Sequence, residues 1–332
     1  MDTSSTSNHG SLTQYSIPAQ APGVGHIVSG PDGNLWFQNG FNSNYTIVKM
    51  NTDGVVLAQY PTPSYYVSAL ISGPNGVLWA TGPAGSGRQA LLSITTAGTI
   101  SNYDLPAGYN IGSNYGCLTM GPDGNLWFYA IGPDGNVIGS MTPTGTFSWY
   151  PLDSGMAIDQ SSLVTGSDGN LWFCATISGT PDQAAVCSIT LTGTITTYTV
   201  PADYVSGYTS NIASGLDGNL WFTGGDNSNN PYIGSSTTSG TITTYSLPSG
   251  YDSYADGAYV FLIISGPDEN LWFCGQDNNA SNYLASITTD GVITIYPLYT
   301  TSILFSVNTL AVGPDRNLWL SQGGGVAARF TI

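Results

Sequence analysis

Apolar and polar residues alternate along most of the chain, in short stretches separated by Gly, Pro, Asn, Asp and Ser. The segment TITTYTV at 194–200 is an example of this period of two, which is typical of β-strands that bury one face. No long segment shows the periodicity of an amphipathic helix. The longest apolar run, 259–264, is too short to cross a bilayer. The pattern therefore predicts an all-β protein.

A motif centred on Leu-Trp recurs seven times, at intervals of 43 to 51 residues. Repeats of this length with strand-type sequence are typical of β-propeller blades with four strands each. In each copy, a Pro/Gly-rich turn links an apolar strand a to strand b, which carries the Trp that fills the space between blades. The copies are GPDGNLWF at 30–37 and 121–128, GPNGVLWA at 73–80, GSDGNLWF at 166–173, GLDGNLWF at 215–222, GPDENLWF at 266–273 and GPDRNLWL at 313–320.

A second motif predicts the outer strand d of each blade, as in GTITTYTVP at 193–201. The seventh unit lacks this motif, but GSLTQYSIP at 10–18 matches it and places Tyr15 at the Tyr position. We therefore expect residues 10–18 to complete the last blade, which removes a free edge. The predicted fold is a seven-bladed β-propeller over residues 10–332, preceded by a tail at 1–9.

The repeated GPDGNLWF copies, the IGS segments at 138–140 and 233–235, and the Thr-x-Gly-x-Ile-x-x-Tyr strand resemble the blades of the virginiamycin B lyase (streptogramin lyase) family over residues 10–332. The resemblance implies a seven-bladed propeller. It also implies a magnesium-dependent lyase that opens a cyclic depsipeptide antibiotic, using His and Glu side chains at one mouth of the channel.

The positions that would carry this chemistry differ from the family pattern. No copy keeps the Glu that the family places after Trp-Phe, and Glu269 falls in a predicted a–b turn. His9 lies in the tail, and His26 is one position out of register. General acid–base catalysis needs a titratable group near the substrate, and Mg²⁺ prefers carboxylate oxygens. We therefore assign no catalytic residue and regard a divergent metal-dependent lyase as an alternative.

The charge balance is strongly acidic and excludes two classes of partner. The formal net charge is −16, and the only cations are Lys49, Arg88, Arg316 and Arg329. Such a chain cannot neutralise a row of phosphates, so we expect neither nucleic acid nor an anionic membrane as a partner. Charged residues make up only 7% of the chain. This composition favours a secreted, extracellular protein, although no signal peptide is visible.

Four cysteines are present, and none forms a CxxC pair that would indicate zinc. Cys174 and Cys187 fall on consecutive strands of one predicted hairpin. Two interpretations are open: a local disulfide, or burial as small apolar side chains.

The a–b and c–d turns vary little among the repeats and lie on one side of the predicted disc, which we call the turn face. The d–a and b–c loops vary and lie on the other side, the variable-loop face, where binding groups are expected. This face is rich in Tyr, whose ring and hydroxyl suit a glycan, a peptide or another protein. The predicted ligand-binding residues are Tyr65, Tyr66, Tyr109, Tyr115, Tyr204, Tyr208, Tyr251, Tyr254, Tyr259 and His26.

Charge on the variable-loop face is expected to be unequal. Asp203, Asp252 and Asp256 lie in adjacent d–a loops and are the best candidates for a Ca²⁺ or Mg²⁺ site. Solvated turn residues would give the same pattern. The loops of blades seven, one and two hold Arg88 and Arg329 instead.

The predicted outer strands carry almost no charge, which leaves them able to pair with other strands. The sequence thus supports three functions. The first is an extracellular, non-catalytic propeller that recognises a glycan, peptide or protein through the variable-loop face. The second is a structural protein that self-associates into a coat or filament through outer strands and loops. The third is the divergent lyase, with Ca²⁺ or Mg²⁺ as cofactor.

Overall fold

The computed structural model describes most of the chain, and all structural statements below concern that part. The described residues are 10–17, 24–41, 44–63, 67, 69–74, 76–83, 89–111, 117–158, 163–179, 181–204, 208–298, 307–322 and 325–332. They form seven antiparallel sheets, each with strands in the order a, b, c, d. The predicted seven-bladed β-propeller is confirmed.

The four kinds of strand occupy equivalent places in the blades. The inner strands a are β2 (Val24–Ser29), β6 (Ala69–Ser72), β10 (Leu118–Met120), β14 (Met156–Ile158) with β15 (Val164–Thr165), β19 (Tyr208–Ser214), β23 (Tyr259–Ser265) and β27 (Val307–Val312). Strands b are β3 (Leu35–Phe41), β7 (Val77–Pro83), β11 (Leu126–Gly132), β16 (Leu171–Ile177), β20 (Leu220–Gly225), β24 (Leu271–Gln276) and β28 (Leu318–Gln322). Strands c are β4 (Asn44–Met50), β8 (Gln89–Thr95), β12 (Gly135–Met141), β17 (Gln183–Ile189), β21 (Pro231–Ser236), β25 (Asn282–Ile287) and β29 (Val326–Thr331). Strands d are β5 (Val56–Pro63), β9 (Ile100–Asp104), β13 (Phe147–Pro151), β18 (Ile195–Thr199), β22 (Ile242–Ser246), β26 (Ile293–Pro297) and, for the seventh blade, β1 (Ser11–Ser16).

Helical structure is limited to single 3₁₀ turns at Ala202–Tyr204 and Tyr254–Asp256, both in d–a loops. In the described part of the chain, no helix has the length and apolar character needed to span a membrane.

The N-terminal strand closes the ring as predicted. β1 pairs antiparallel with β29, from Ser11 opposite Thr331 to Ser16 opposite Val326. The Ile17 amide continues the contact by donating to the Gly325 carbonyl (2.9 Å). The last blade is therefore built from both ends of the propeller chain.

The Asp of the a–b turn holds the blade Trp by a side-chain hydrogen bond. In the third blade, for example, the Trp127 indole N–H donates to the Asp123 carboxylate (3.1 Å). The same bond joins Asp and Trp four residues apart in five other blades, at 2.8 to 3.2 Å. Since the Trp rings are almost fully buried, this bond satisfies a donor that would otherwise be costly.

Each blade Trp also contacts the Tyr of strand d in its own blade. In blade four, the rings of Trp172 and Tyr198 stack with centroids 5.4 Å apart. Tyr198 in turn lies over Gly240 in the c–d turn of the next blade, where a Cβ would overlap the ring. Trp, Tyr and turn glycine thus join neighbouring blades near the turn face.

Two cations replace the Ser that strand c carries opposite the Trp in the other five blades. Lys49 occupies this place in blade one, on the face that Trp36 turns towards blade two, and Arg329 occupies it in blade seven, beside the interface that closes the ring. The Lys49 ammonium lies 2.7 Å from the Asp32 carboxylate. Burial acts to raise the pKa of Asp32, but hydrogen bonds from Lys49, Trp36 and Asn34 outweigh it and hold the pKa below its usual value.

The possible Cys174–Cys187 disulfide is absent: all four cysteines are buried as reduced thiols. Cys187 lies opposite Phe173 in the β16–β17 ladder, and Cys174 lies opposite Val186. Because side chains alternate between the two faces of a sheet, Cys174 and Cys187 pack into different inter-blade cores.

Candidate binding face and channel mouth

The inner strands surround a central channel whose cavity has a volume of about 460 Å³. Its wall is mainly apolar, with Leu262 among the apolar side chains. Its polar groups are His26, Asn211, Thr309 and the serines Ser29, Ser72 and Ser265. No acidic, lysine or arginine side chain lines the channel among the residues that the structure describes. The site thus offers hydrogen bonds and apolar contact with little charge.

Bulges in four inner strands shape the mouth on the variable-loop face. The register shifts at 25–26 in β2, at 210–211 in β19, at Phe261 in β23 and at 308 in β27. Bulges re-aim side chains and are common beside functional sites. They explain why His26 is out of register with the repeat pattern.

The bulged segments are fixed by hydrogen bonds between and within blades. The Ile27 amide, next to His26, donates to the Thr309 hydroxyl of the preceding blade (3.2 Å). The Asn211 amide donates to the Thr223 hydroxyl (3.2 Å), and its side chain donates to the Phe261 carbonyl (2.5 Å). The mouth is therefore preorganised on the side formed by blades five, six, seven and one.

Among the described residues, His26 is the histidine that lines the channel. Burial by the channel wall lowers its pKa, so its imidazole is neutral at pH 7. A neutral imidazole offers one donor and one acceptor to a ligand.

The donor set at the channel does not fit a magnesium site. The second positions after Trp-Phe, which hold Glu in the family pattern, are Asn39, Gly82, Ala130, Ala175, Gly224, Gly275 and Gln322. Mg²⁺ is usually held by one or two carboxylates, and none is present on the described wall. Within the described residues, no group of three or more His, Cys, Asp or Glu side chains is arranged to hold a metal ion.

The three aspartates proposed from sequence are not brought together as one such group. Asp203 and Asp256 are exposed on the two 3₁₀ turns. The Asp252 carboxylate instead accepts hydrogen bonds from the Gly250 amide (3.0 Å) and the Asn278 side chain (3.4 Å). Asp252 therefore shapes its loop, which agrees with the interpretation of these aspartates as turn residues.

The predicted Tyr residues divide into packed and exposed groups. Tyr109 stacks on Trp149 at 3.8 Å between centroids, Tyr204 packs on Tyr232, and Tyr251 packs edge-on against Tyr283. Tyr254 and Tyr259 are 50% and 37% exposed. Tyr65, Tyr66, Tyr115 and the side chain of Tyr208 lie outside the described residues.

The two exposed tyrosines belong to one segment between blades five and six, residues 250–261, which we call the platform. Tyr259 stacks on Phe261 (5.7 Å). Burial raises the pKa of Tyr259, with a further contribution from neighbouring Tyr254. Tyr259 and Phe261 therefore form a stacked aromatic pair beside the first residues of the channel wall in β23, and Tyr254 is near enough to affect the pKa of Tyr259.

Two Asn side chains hold this platform. Asn230, in the b–c loop of blade five, accepts a hydrogen bond from the Tyr254 amide (3.2 Å). Asn278, in the b–c loop of blade six, accepts one from the Ser253 amide (3.2 Å). Asp226 and Asp277 shape these b–c loops by accepting pairs of backbone amides at 2.8 Å. Their Asn- and Asp-rich sequences thus serve to position the platform.

Arg329 does not belong to the variable-loop face, contrary to the prediction. Its guanidinium donates to the Thr52 carbonyl in a c–d turn (3.1 Å) and lies 3.8 Å from the Asp315 carboxylate in an a–b turn. It lies there because strand c runs towards the turn face. Arg88 is outside the described residues.

Comparison with known proteins agrees with this architecture. The profile of the virginiamycin B lyase family matches residues 3–181 and 109–332. Virginiamycin B lyase from Staphylococcus aureus is 25% identical, with a TM-score of 0.72 over 97% of this chain and 99% of that one. A catalytically inactive variant of the S. aureus enzyme with quinupristin is 24% identical, with a TM-score of 0.72 over 97% and 99% of the two chains.

A more distant structure, YCF48 bound to D1 peptide, shares only the fold, at 14% identity and a TM-score of 0.63 over 97% of this chain and 95% of that one. No curated protein matches the sequence significantly. Since the family profile covers nearly all of the sequence, this chain belongs to the virginiamycin B lyase family.

Proposed function

We propose that this protein is an extracellular, non-catalytic propeller that recognises a peptide segment through its variable-loop face. The observation that carries the proposal is the platform of Tyr254, Tyr259 and Phe261, which two Asn side chains hold beside an uncharged channel. A rigid aromatic surface binds with little loss of conformational entropy.

The chemistry of the channel wall supports binding over catalysis. Lyase chemistry requires a base near the substrate, and the described wall offers only His26 and the buried thiol of Cys117 as titratable groups. No carboxylate is available there to pair with His26 or to hold Mg²⁺. The same wall is well suited to amide groups and apolar side chains.

A peptide is the ligand class best supported by the relatives. The S. aureus lyase is described with quinupristin and YCF48 with D1 peptide. Tyr rings and hydroxyls pack against peptide groups as readily as against sugars, so a glycan is the competing ligand in the test. The extracellular location rests on composition: few charged residues and an acidic balance.

The test is binding of the whole protein to peptide and glycan arrays, followed by titration of the hits. Tyr254→Ser/Tyr259→Ser is expected to weaken peptide binding at least about tenfold, because hot-spot rings are lost. Leu216→Ser/Val292→Ser is the matched control, since these side chains are also exposed but lie in turns of the other face.

Three outcomes would contradict the proposal. They are hits confined to glycans, equal losses in both double variants, or conversion of quinupristin by the protein with Mg²⁺ or Ca²⁺. Conversion that disappears in His26→Asn would support the divergent lyase instead.

Self-association is a second candidate, favoured by the outer strands. Thr196 and Thr197 of β18 are exposed, uncharged and at the edge of their sheet. Light scattering across a concentration series, with Thr196→Lys/Thr197→Lys as the variant, distinguishes assembly from monomeric binding. A mass that stays monomeric at all concentrations would exclude a coat or filament.

A further inference from the structure

Six of the seven blade interfaces are covered in the same way near the turn face. The Tyr of strand d lies against the glycine in the c–d turn of the next blade, so closely that a Cβ on the glycine would displace the ring. In one interface, the Tyr150 hydroxyl also donates to the Leu191 carbonyl of the turn (3.3 Å). The pairs are Tyr15–Gly54, Tyr60–Gly98, Tyr103–Gly145, Tyr150–Gly193, Tyr198–Gly240 and Tyr245–Gly291.

The six turns share one structure. In the turn at 190–194, the Thr190 amide donates to the Thr194 carbonyl (2.9 Å) and the Gly193 amide donates to the Thr190 carbonyl (2.9 Å). The Thr190 hydroxyl accepts the Thr194 amide (3.0 Å). Gly193 has a φ of 93°, a conformation that favours glycine. The sequence pattern is Thr or Asn, two variable residues, then Gly.

The seventh interface has no such turn within the described residues. Tyr296 of blade six faces blade seven, whose strands c and d are β29 and β1 and are not joined as a hairpin. The Phe330 ring partly covers the place, 5.4 Å from Tyr296 and 5.8 Å from Trp272. A crevice of about 440 Å³ remains, bordered by these rings and by Gly10 and Ile332.

We propose that this crevice binds a Thr-x-x-Gly β-turn of a partner polypeptide. The crevice lies at the seventh blade interface. At each of the other six interfaces, the equivalent place against the strand-d Tyr is filled by a c–d turn with Gly. The described lining of the crevice carries no charged side chain, which matches a neutral turn. The Gly is required because any side chain there would collide with the Tyr296 ring. This site is separate from the variable-loop face and does not depend on the function proposed for it.

The experiment uses a backbone-cyclised peptide of residues 188–196 as the probe and the isotopically labelled whole protein as the target. Amide and indole resonances are followed during titration to millimolar peptide. We expect saturable shifts at Gly10, Trp272, Phe330 and Ile332. The same peptide with Gly193→Ala is expected to bind at least about tenfold more weakly, because the φ and the contact both exclude a side chain.

Variants of the protein test the location. Tyr296→Leu is expected to abolish the shifts, whereas Tyr245→Leu, whose place is filled by the Gly291 turn, is expected to retain them. Ile332→Arg leaves the ring stack intact and is expected to weaken binding by placing a charge at the crevice edge. It keeps the test valid if Tyr296→Leu folds poorly.

Each result bears on the proposal. Absence of shifts at millimolar peptide, or equal binding of the Gly and Ala peptides, would overturn it. Binding at least about tenfold tighter after removal of residues 1–9 would also overturn it, since the chain's own tail would then be the occupant. Unchanged binding after that removal would support a partner as the source of the turn.

Discussion

Tyr15 stacks on Trp319 with ring centroids 5.3 Å apart, although the two residues lie near opposite ends of the chain. On its other side, Tyr15 lies against Gly54 in the first c–d turn. The Arg329 guanidinium lies 5.8 Å from the Tyr15 ring and 6.0 Å from the Trp319 ring. One side chain of β1 therefore joins the last blade to the first.

Tyr15→Ala is expected to lower the free energy of unfolding by about 2 to 4 kcal/mol, in the range of aromatic truncations in cores. Because β1 is attached to the ring at one end only, its loss is also expected to be local. Hydrogen exchange should show β1 and β29 losing protection before the other blades. Urea unfolding gives the magnitude.

Tyr245→Ala is the matched control, because Tyr245 makes the same contacts inside a continuous hairpin. It should reduce stability by a similar amount without selective exchange in β1. Equal exchange patterns in the two variants would show that β1 is no weaker than an internal strand.

Arg329→Ser restores the residue type found at the equivalent place in five blades, Ser93, Ser140, Ser188, Ser235 and Ser286. We expect a loss of about 1 to 2 kcal/mol, because a partly buried charge-assisted hydrogen bond to the Thr52 carbonyl across the closing interface disappears, together with cation–π contacts to Tyr15 and Trp319 within the last blade. Lys49→Ser removes an ion pair within one blade and should lower the free energy of unfolding by a smaller amount. Thermal denaturation of the two variants at low and high salt compares them. A larger effect for Lys49 would contradict the assigned role of Arg329.

The fold was predictable because each blade repeats the same local rules. The Gly-rich turns, the period of two and the Leu-Trp motif specify the strands, and the match between residues 10–18 and the other outer strands specifies closure. Six of the seven turn motifs also carry a further signal: an Asp four residues before the Trp predicts the hydrogen bond from the indole N–H.

The candidate site was less predictable, because it depends on departures from the repeat. Loop length does not show which Tyr will pack on a neighbour, as Tyr109 does on Trp149. The bulges that place Asn211 and Phe261 at the mouth also leave no clear pattern in one sequence. The b–c loops at 225–231 and 275–282 are rich in Asn, but the amides of Ser253 and Tyr254 that their side chains bind are brought near only by the fold.

Glu269→Gly is expected to stabilise the protein by about 1 kcal/mol, since Glu269 adopts a φ of 70° at a turn position that is Gly in other blades. Gly124→Glu, with a φ of 76° at the equivalent place, should destabilise it by a similar amount. Urea unfolding measures both. Arg316→Gly should stabilise the protein less, because it also removes the hydrogen bond that the Arg316 guanidinium donates to the Pro267 carbonyl (2.9 Å). A loss of stability in Glu269→Gly would show that its side chain makes a contact worth more than the backbone strain.

The four cysteines are expected to be inert in the folded protein. All are buried, and burial raises the pKa of Cys274, which disfavours its reactive thiolate. A thiol reagent should label four groups only after unfolding, and a reductant should leave the midpoint of thermal unfolding unchanged. A lower midpoint in reductant, or fewer than four thiols in the unfolded chain, would reveal a disulfide.

His26 is expected to make the folded protein less stable as pH falls. Burial lowers its pKa in the folded state, whereas the unfolded chain has a His pKa of about 6.5. Below that value the unfolded state binds the proton more readily, so the free energy of unfolding declines as pH falls from the unfolded towards the folded pKa. Well above this pKa, the imidazole is neutral in both states and does not make the free energy of unfolding depend on pH. His26→Asn keeps a polar side chain but cannot titrate, so its unfolding free energy should change less between pH 7 and about pH 5. Wild type and variant share every other titratable group, so urea unfolding of both at several pH values isolates the histidine. Parallel curves for the two proteins would show that the channel wall does not oppose protonation of His26.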